Sequence, residues 1–314
     1  MFTSRIFIWL FASLISTYSL TASTLTPMEA WEYPYEVHTL QLSDSVEMAY
    51  VDEGKGPQTL LFIHGLGSYL KAWNLNIASL KDQYRCIAID LPGYGKSSTG
   101  NYTFSMSFFA EQVNQFIEKL KLENVVLVGH SMGGQIATHL ALTQPSYLDK
   151  LVLLAPAGFE KFSEQEKQWF LMVTTAALIK NTTKEQIINN FELNFYEMPE
   201  NARFMIEDRF TLREDSAYEA YCEMIPKCVK GMLEGPVFDK LKELSLPVMV
   251  VYGENDKLIP NAYLHASLTT KSVGEMGAAE IPQASLHLLL EAGHFVQWDQ
   301  AEKVNNLIST FLED

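Results

Sequence analysis

The chain has 314 residues, 47% of them hydrophobic and 12% aromatic, enough to bury a large core as one domain or as a domain carrying an insertion. Its formal charge is −15, and so acidic a surface repels phosphate backbones, which sets nucleic acid aside as a partner. Three cysteines with no Cys-x-x-Cys pair argue against a metal site.

The first 23 residues differ from the rest. Arg5 is their only charge, residues 6–20 ("IFIWLFASLISTYSL") are apolar or hydroxylic throughout, and Thr21, Ala22 and Ser23 offer a small-residue exit. This is the layout of a secretory signal peptide, with a mature start near Thr24 and an exported, periplasmic or secreted product. The apolar stretch is shorter than the roughly 20 residues of a membrane-spanning helix. Left uncleaved, it would be the chain's one membrane anchor.

Residues 36–42 and 46–51 then alternate in polarity and read as a hairpin turned by "SDS". Six short apolar runs follow, at 59–64, 85–90, 124–129, 150–155, 247–253 and 285–291. Such runs read as strands buried on both faces, as in a parallel sheet flanked by helices. Helical periodicity fills the gaps at 107–122, capped by Ser105 or Ser107, at 131–143 and at 299–313. Strands alternating with helices imply a doubly wound sheet.

Residues 159–237 break the rhythm, with no strand evident. Ser163 with Glu166, and Thr183 with Gln186, form capping boxes that open the helical stretches "KQWFLMVTTAALIK" and "IINNFELNFY"; two more helices follow around 201–213 and 216–234. The expected organisation is therefore a signal peptide at 1–23, a core formed by 24–158 and 238–314, and a helical cap at 159–237 over a site at the strand ends. Cys222 and Cys228 sit six apart on one of the cap helices, about 9 Å, too far for a disulfide unless the chain breaks at Pro226.

The chemistry concentrates in a few loops. "VGHSMGG" (128–134) fits Gly-x-Ser-x-Gly between an apolar strand and a helix, the context in which a strained turn lifts a serine hydroxyl above a sheet. Ser131 is the candidate nucleophile and needs a base. Of seven histidines, His38 and His287 fall in strand runs and His139 and His265 in helical stretches, while His64 and His130 precede the serine. His294, in "EAGHFVQWD" past the last strand, is the candidate base. "VYGENDKLIP" places Asp256 in the loop after 247–253 as the acid that orients the imidazole, with Glu254 as its competitor. The tetrahedral oxyanion needs two donors. The N–H of Met132, after the nucleophile, is one, and the N–H of Leu66, in the glycine-flanked loop "HGLG", is the other.

Four separated segments, "HGLG", "DLPGYGKS" (90–97), "GHSMGG" and "YGENDKLIP…GH", resemble the α/β-hydrolase family in order and spacing. The resemblance implies a mainly parallel eight-stranded sheet, a triad of Ser131, Asp256 and His294, and a helical lid where 159–237 falls. The turn at Asp90 is structural more often than catalytic in that family. Dehalogenase and epoxide hydrolase members carry an aspartate nucleophile, which Ser131 disfavours. Members that cleave carbon–carbon bonds often carry asparagine before the serine, and His130 leans toward esters. One departure is the added stretch "SVGEMGAAEIP" (272–282), whose helix boundaries are left unassigned.

The reading that follows is a carboxylesterase or small lipase acting on apolar acyl esters, with no metal or organic cofactor. Phe162, Trp169, Phe170, Met172, Phe191, Phe195, Tyr196, Met198, Phe204 and Met205 are divided between packing of the cap and lining of an acyl pocket. A carbon–carbon bond or lactone hydrolase could use the same triad, and a non-catalytic small-molecule receptor could retain it. The sequence carries no signal for an oligomeric state.

Overall fold

The computed structural model describes residues 31–313; the leader and the start near Thr24 lie outside them. Eight strands form one sheet: β1 (His38–Ser43), β2 (Val46–Glu53), β3 (Thr59–Ile63), β4 (Arg85–Ile89), β5 (Val125–His130), β6 (Leu148–Leu154), β7 (Val248–Gly253) and β8 (Ala284–Leu289). Their spatial order is β1-β2-β4-β3-β5-β6-β7-β8. The hairpin β1–β2 and the pair β2–β4 are antiparallel, and every other pair is parallel. This is the mainly parallel eight-stranded sheet that the sequence leads one to expect.

Burial follows the apolar runs. Every residue of β3, β5 and β7 is buried. Strand β8 differs from its sequence reading: each of its residues is only half-buried, because β8 ends the sheet and β7 is its single neighbour. The chain passes from β3 to one side of the sheet at β4 and returns to the other side at β5. That reversal opens a crevice beyond the C-terminal ends of β3 and β5, where ligands of open α/β sheets bind.

The helices outside the cap are α1 (Asn74–Leu80), α2 (Met106–Leu120) and α3 (Met132–Ala141) before it, and α9 (Thr270–Glu280), α10 (Val296–Asp299) and α11 (Ala301–Glu313) after it. Ser105, rather than Ser107, caps α2, its hydroxyl accepting from Phe108 N at 3.1 Å. The unassigned stretch 272–282 belongs largely to α9, which a Thr269–Ser272 capping box opens. The expected helix at 299–313 is α11, which begins two residues later, after the short α10 and Gln300.

Five α-helices lie between β6 and β7: α4 (Glu164–Val173), α5 (Ala176–Lys180), α6 (Lys184–Glu192), α7 (Phe204–Arg213) and α8 (Tyr218–Glu234). Both capping boxes read from the sequence are present. The single helix expected over "KQWFLMVTTAALIK" is instead two. Thr174 and Thr175 leave the helical region, and the Thr175 hydroxyl caps α5. Adjacent threonines favour this break because they are stiff at χ1 and their hydroxyls compete for backbone donors. Helix α8 runs unbroken through Pro226, and Cys86, Cys222 and Cys228 are free, buried thiols.

An apolar cluster joins these helices to the rest of the fold. Phe195 is fully buried and stacks on Phe295 at 5.2 Å, while Phe204 meets Trp298 at 5.6 Å and Met205 packs beside them. Full burial of a side chain of this size stabilises the contact by about 1.5–3 kcal/mol. Among the described residues no helix is long and apolar enough to cross a membrane.

Candidate active site

Strand β5 ends at His130 and α3 begins at Met132, so Ser131 must reverse the chain in a single residue. It does so with φ 52° and ψ −118°. A non-glycine residue held there costs about 1–3 kcal/mol, which surrounding structure must offset. Part of the support is backbone: Ser131 N donates to Leu154 O at 3.0 Å, and Ser131 O accepts from Ala157 N at 3.1 Å. The flanking glycines are required by space. A Cβ at Gly129 would lie 2.5 Å from Gly133 O, and one at Gly133 would lie 2.2 Å from Ile63 O.

His294 and Asp256 come from the loops after β8 and β7. His294 Nδ1 stands 2.7 Å from Asp256 Oδ2, with both side chains almost wholly buried. The other carboxylate oxygen accepts from Leu258 N at 2.8 Å and Ile259 N at 3.0 Å, so the loop itself orients the carboxylate. Glu254, the competitor, is exposed. With Nδ1–H given to Asp256, the imidazole has Nε2 left to take a proton, and Ser131 and His294 line the same cavity. Such an arrangement can deprotonate a serine and hold the resulting imidazolium.

Met132 is the first residue of α3, where backbone N–H groups have no partner within the helix and the helix dipole favours an anion. The Leu66 N–H lies across the crevice in the loop after β3. His64, fully buried, sets its direction. Leu91 N donates to His64 Nε2 at 3.1 Å, so the proton resides on Nδ1, which donates to Gly65 O at 2.9 Å. That carbonyl and the Leu66 N–H share one planar peptide unit, so holding one aims the other.

Above these groups lies a cavity of about 720 Å³ between the strand ends and the inserted helices α4, α6 and α8. Ile225, Val229, Met232 and Leu233 of α8 supply one wall; Phe162, Phe170, Leu258 and Phe295 contribute elsewhere. Two lysines reach the lining, but each is paired: Lys161 with Asp239 at 2.9 Å and Lys167 with Glu164 at 2.6 Å.

The sequence pattern of the α/β hydrolase fold matches residues 58–301. The chain belongs to the α/β-hydrolase fold family. A 2-hydroxy-6-oxononadienedioate/2-hydroxy-6-oxononatrienedioate hydrolase of Paraburkholderia phymatum is 28% identical over 301 residues, which cover 92% of this chain and 98% of that one. A probable hydrolytic enzyme from Pseudomonas aeruginosa superposes with a TM-score of 0.80 at 27% identity, covering 91% and 97% of the two chains. An esterase from Exiguobacterium antarcticum shares the fold at 21% identity, with a TM-score of 0.74 over 89% of this chain and all of the other.

Within this hydrolase the cap residues divide unevenly. Of the ten side chains offered for a pocket, only Phe162 and Phe170 line the cavity. Phe191, Phe195, Met198, Phe204 and Met205 belong to the cluster that seats the cap, and Met172 and Tyr196 are exposed. The α8 wall went unread because its apolar spacing alone does not say whether a face meets protein or cavity.

Three further residues escape sequence reasoning. His130, buried and kept neutral by burial and the nearby His294 ring, places Nε2 2.9 Å from His294 O and so ties the Ser131 turn to the His294 loop. Asp299 accepts from Gly293 N at 2.8 Å and Tyr196 N at 2.9 Å, pinning that loop to the cap. His265, read as helical, lies in an irregular loop with Nδ1 2.5 Å from Glu160 and Nε2 3.2 Å from Glu166. Each acts through a long-range contact that no local pattern encodes. Asp90 makes structural bonds: its carboxylate accepts from Leu70 N, Lys96 N and Tyr33 Oη, and burial raises its pKa to about 6.

Burial pushes the His64 imidazole down to about 4 from 6.5. The folded chain therefore resists a proton that the unfolded chain accepts, and the His64 contribution is complete above the unfolded value and lost as pH falls from about 6.5 toward 4. His64→Gln is expected to destabilise at neutral pH and to show a shrinking deficit on acidification, by up to about 3 kcal/mol over that window. The comparison with wild type cancels the opposite contribution of Asp90. Denaturant unfolding of both proteins at about pH 7.5 and about pH 5 checks this; stability curves that stay parallel would refute it.

Proposed function

We propose that this hydrolase is a serine esterase that cleaves neutral carboxylic esters with apolar acyl groups. Ser131 Oγ attacks the ester carbonyl while His294 Nε2 takes its proton, Asp256 stabilises the imidazolium, and the N–H groups of Leu66 and Met132 receive the oxyanion. His294 returns the proton to the departing alcohol. Water, deprotonated by the same nitrogen, then hydrolyses the acyl-enzyme.

The observation that carries the substrate class is the cavity. Its volume suits a small organic molecule, its α8 wall is aliphatic, and its two cations already have carboxylate partners. Among the residues that line the cavity, a dicarboxylate would meet no lysine without a carboxylate partner. The relative named for 2-hydroxy-6-oxononadienedioate favours the second reading, a carbon–carbon bond hydrolase on the same three residues.

A series of p-nitrophenyl esters from acetate to octanoate tests the proposal. Each added CH₂ that finds the α8 wall is expected to raise kcat/KM by up to about fourfold, from about 0.8 kcal/mol of burial, until the cavity is full. Turnover of a 2-hydroxy-6-oxo-dienedioate with none of any ester would replace the first reading with the second. Tight binding of such compounds without turnover would instead indicate a receptor.

A further inference from the structure

The loop that carries the Leu66 N–H, "HGLG", has a glycine on each side of that residue, and Gly67 sits at φ +68°. Glycine adopts this conformation without strain, but it adopts many others as readily, so the loop does not hold itself in one place. His64 secures its first peptide from the core side, through Gly65 O.

The cap secures the other end. Arg209, on α7, donates from Nη2 to Gly67 O at 2.6 Å. The Gly67–Ser68 peptide is thereby held by its carbonyl, and the N–H of the same peptide donates to Gly65 O at 3.2 Å. Gly65 O in turn belongs to the peptide that presents the Leu66 N–H. Two planar units in series connect the guanidinium to the proposed oxyanion donor.

The guanidinium is itself constrained, 4.5 Å from the Tyr221 ring centroid and 5.4 Å from that of Phe191, an arrangement that fixes its plane and adds cation–π attraction. The preceding residue, Asp208, accepts from Tyr69 Oη and from Lys71 Nζ at 2.8 Å, just beyond the loop. Adjacent side chains of one cap helix therefore grip both ends of the segment 67–71.

We propose that Arg209 is a positioning residue for the oxyanion hole, and that the seating of α7 sets the direction of the Leu66 N–H together with His64. The inference rests on the ester-hydrolase reading above. It makes the cap a part of the catalytic support as well as a wall of the cavity.

The test uses the full-length protein, with Arg209→Gln and Arg209→Lys. With p-nitrophenyl butyrate, Arg209→Gln is expected to lower kcat on the order of tenfold to a hundredfold while KM stays within about threefold, because the misplaced donor is needed chiefly in the transition state. Arg209→Lys retains a cationic donor and should recover part of the loss. Amide hydrogen exchange, followed by mass spectrometry, should quicken over residues 64–69 in Arg209→Gln and remain unchanged over β5.

An unaltered kcat with wild-type exchange in the loop would overturn the proposal. So would a loss shared equally by both variants and accompanied by faster exchange throughout the cap, which would mark a packing residue. Should the wild-type chain hydrolyse no ester, the functional reading fails, and exchange over 64–69 still decides whether Arg209 holds the loop.

Discussion

Ser131→Ala is expected to abolish ester turnover, lowering kcat by about 10⁶-fold, the scale on which a serine hydrolase loses activity with its nucleophile. The substitution removes one oxygen and leaves the turn's backbone bonds to Leu154 and Ala157 in place. The conformation at Ser131 is already strained for any side chain with a Cβ, so alanine adds no new penalty of that kind. Thermal unfolding should shift by a few degrees at most. Assay of the variant on p-nitrophenyl butyrate, with circular dichroism to show that it folds, decides the matter. Near-normal turnover by the alanine variant would rule Ser131 out as the nucleophile.

Asp256→Asn is expected to lower kcat by about 10⁴-fold, and the local hydrogen bonds explain why. Oδ1 of Asp256 accepts from two backbone amides, Leu258 N and Ile259 N. Asparagine must keep its oxygen at that position, because its amino group would face two donors. The amino group then faces His294 and can only donate. The imidazole is forced to carry its proton on Nε2, the nitrogen that should receive one from Ser131. Substrate binding is left largely intact, so the loss should fall on kcat rather than KM. Glu254→Gln is the control, since that side chain is exposed and the carboxylate that meets His294 is Asp256. A large loss in Glu254→Gln with Asp256→Asn near wild type would show that the acid was misidentified.

The strands were legible because each is a short apolar run, and the helices because their caps and periodicity are local. The turn at Ser131 was legible for a similar reason: only glycine fits at positions 129 and 133, so the spacing survives as a pattern. Local signals also misled. "KQWFLMVTTAALIK" has helical periodicity throughout, yet side-chain capping by Thr175 divides it. β8 looked as buried as the strands before it, because an apolar run does not reveal that its strand lies at the edge of the sheet.

The sequence by itself determined the class of fold, the order of Ser131, Asp256 and His294 along the chain, and the expectation that Asp256 rather than Glu254 meets His294. These depend on residue type and spacing, which are written in the chain. The tertiary structure alone decided which cap side chains face the cavity, and it alone joined His130 to the His294 loop, Asp299 to Tyr196 and Arg209 to Gly67. Each of those bonds joins groups remote in sequence, across a gap of 103 residues for Asp299 and Tyr196 and 142 for Arg209 and Gly67. No short pattern can encode such a pair, because its partners meet only after the sheet and cap have packed.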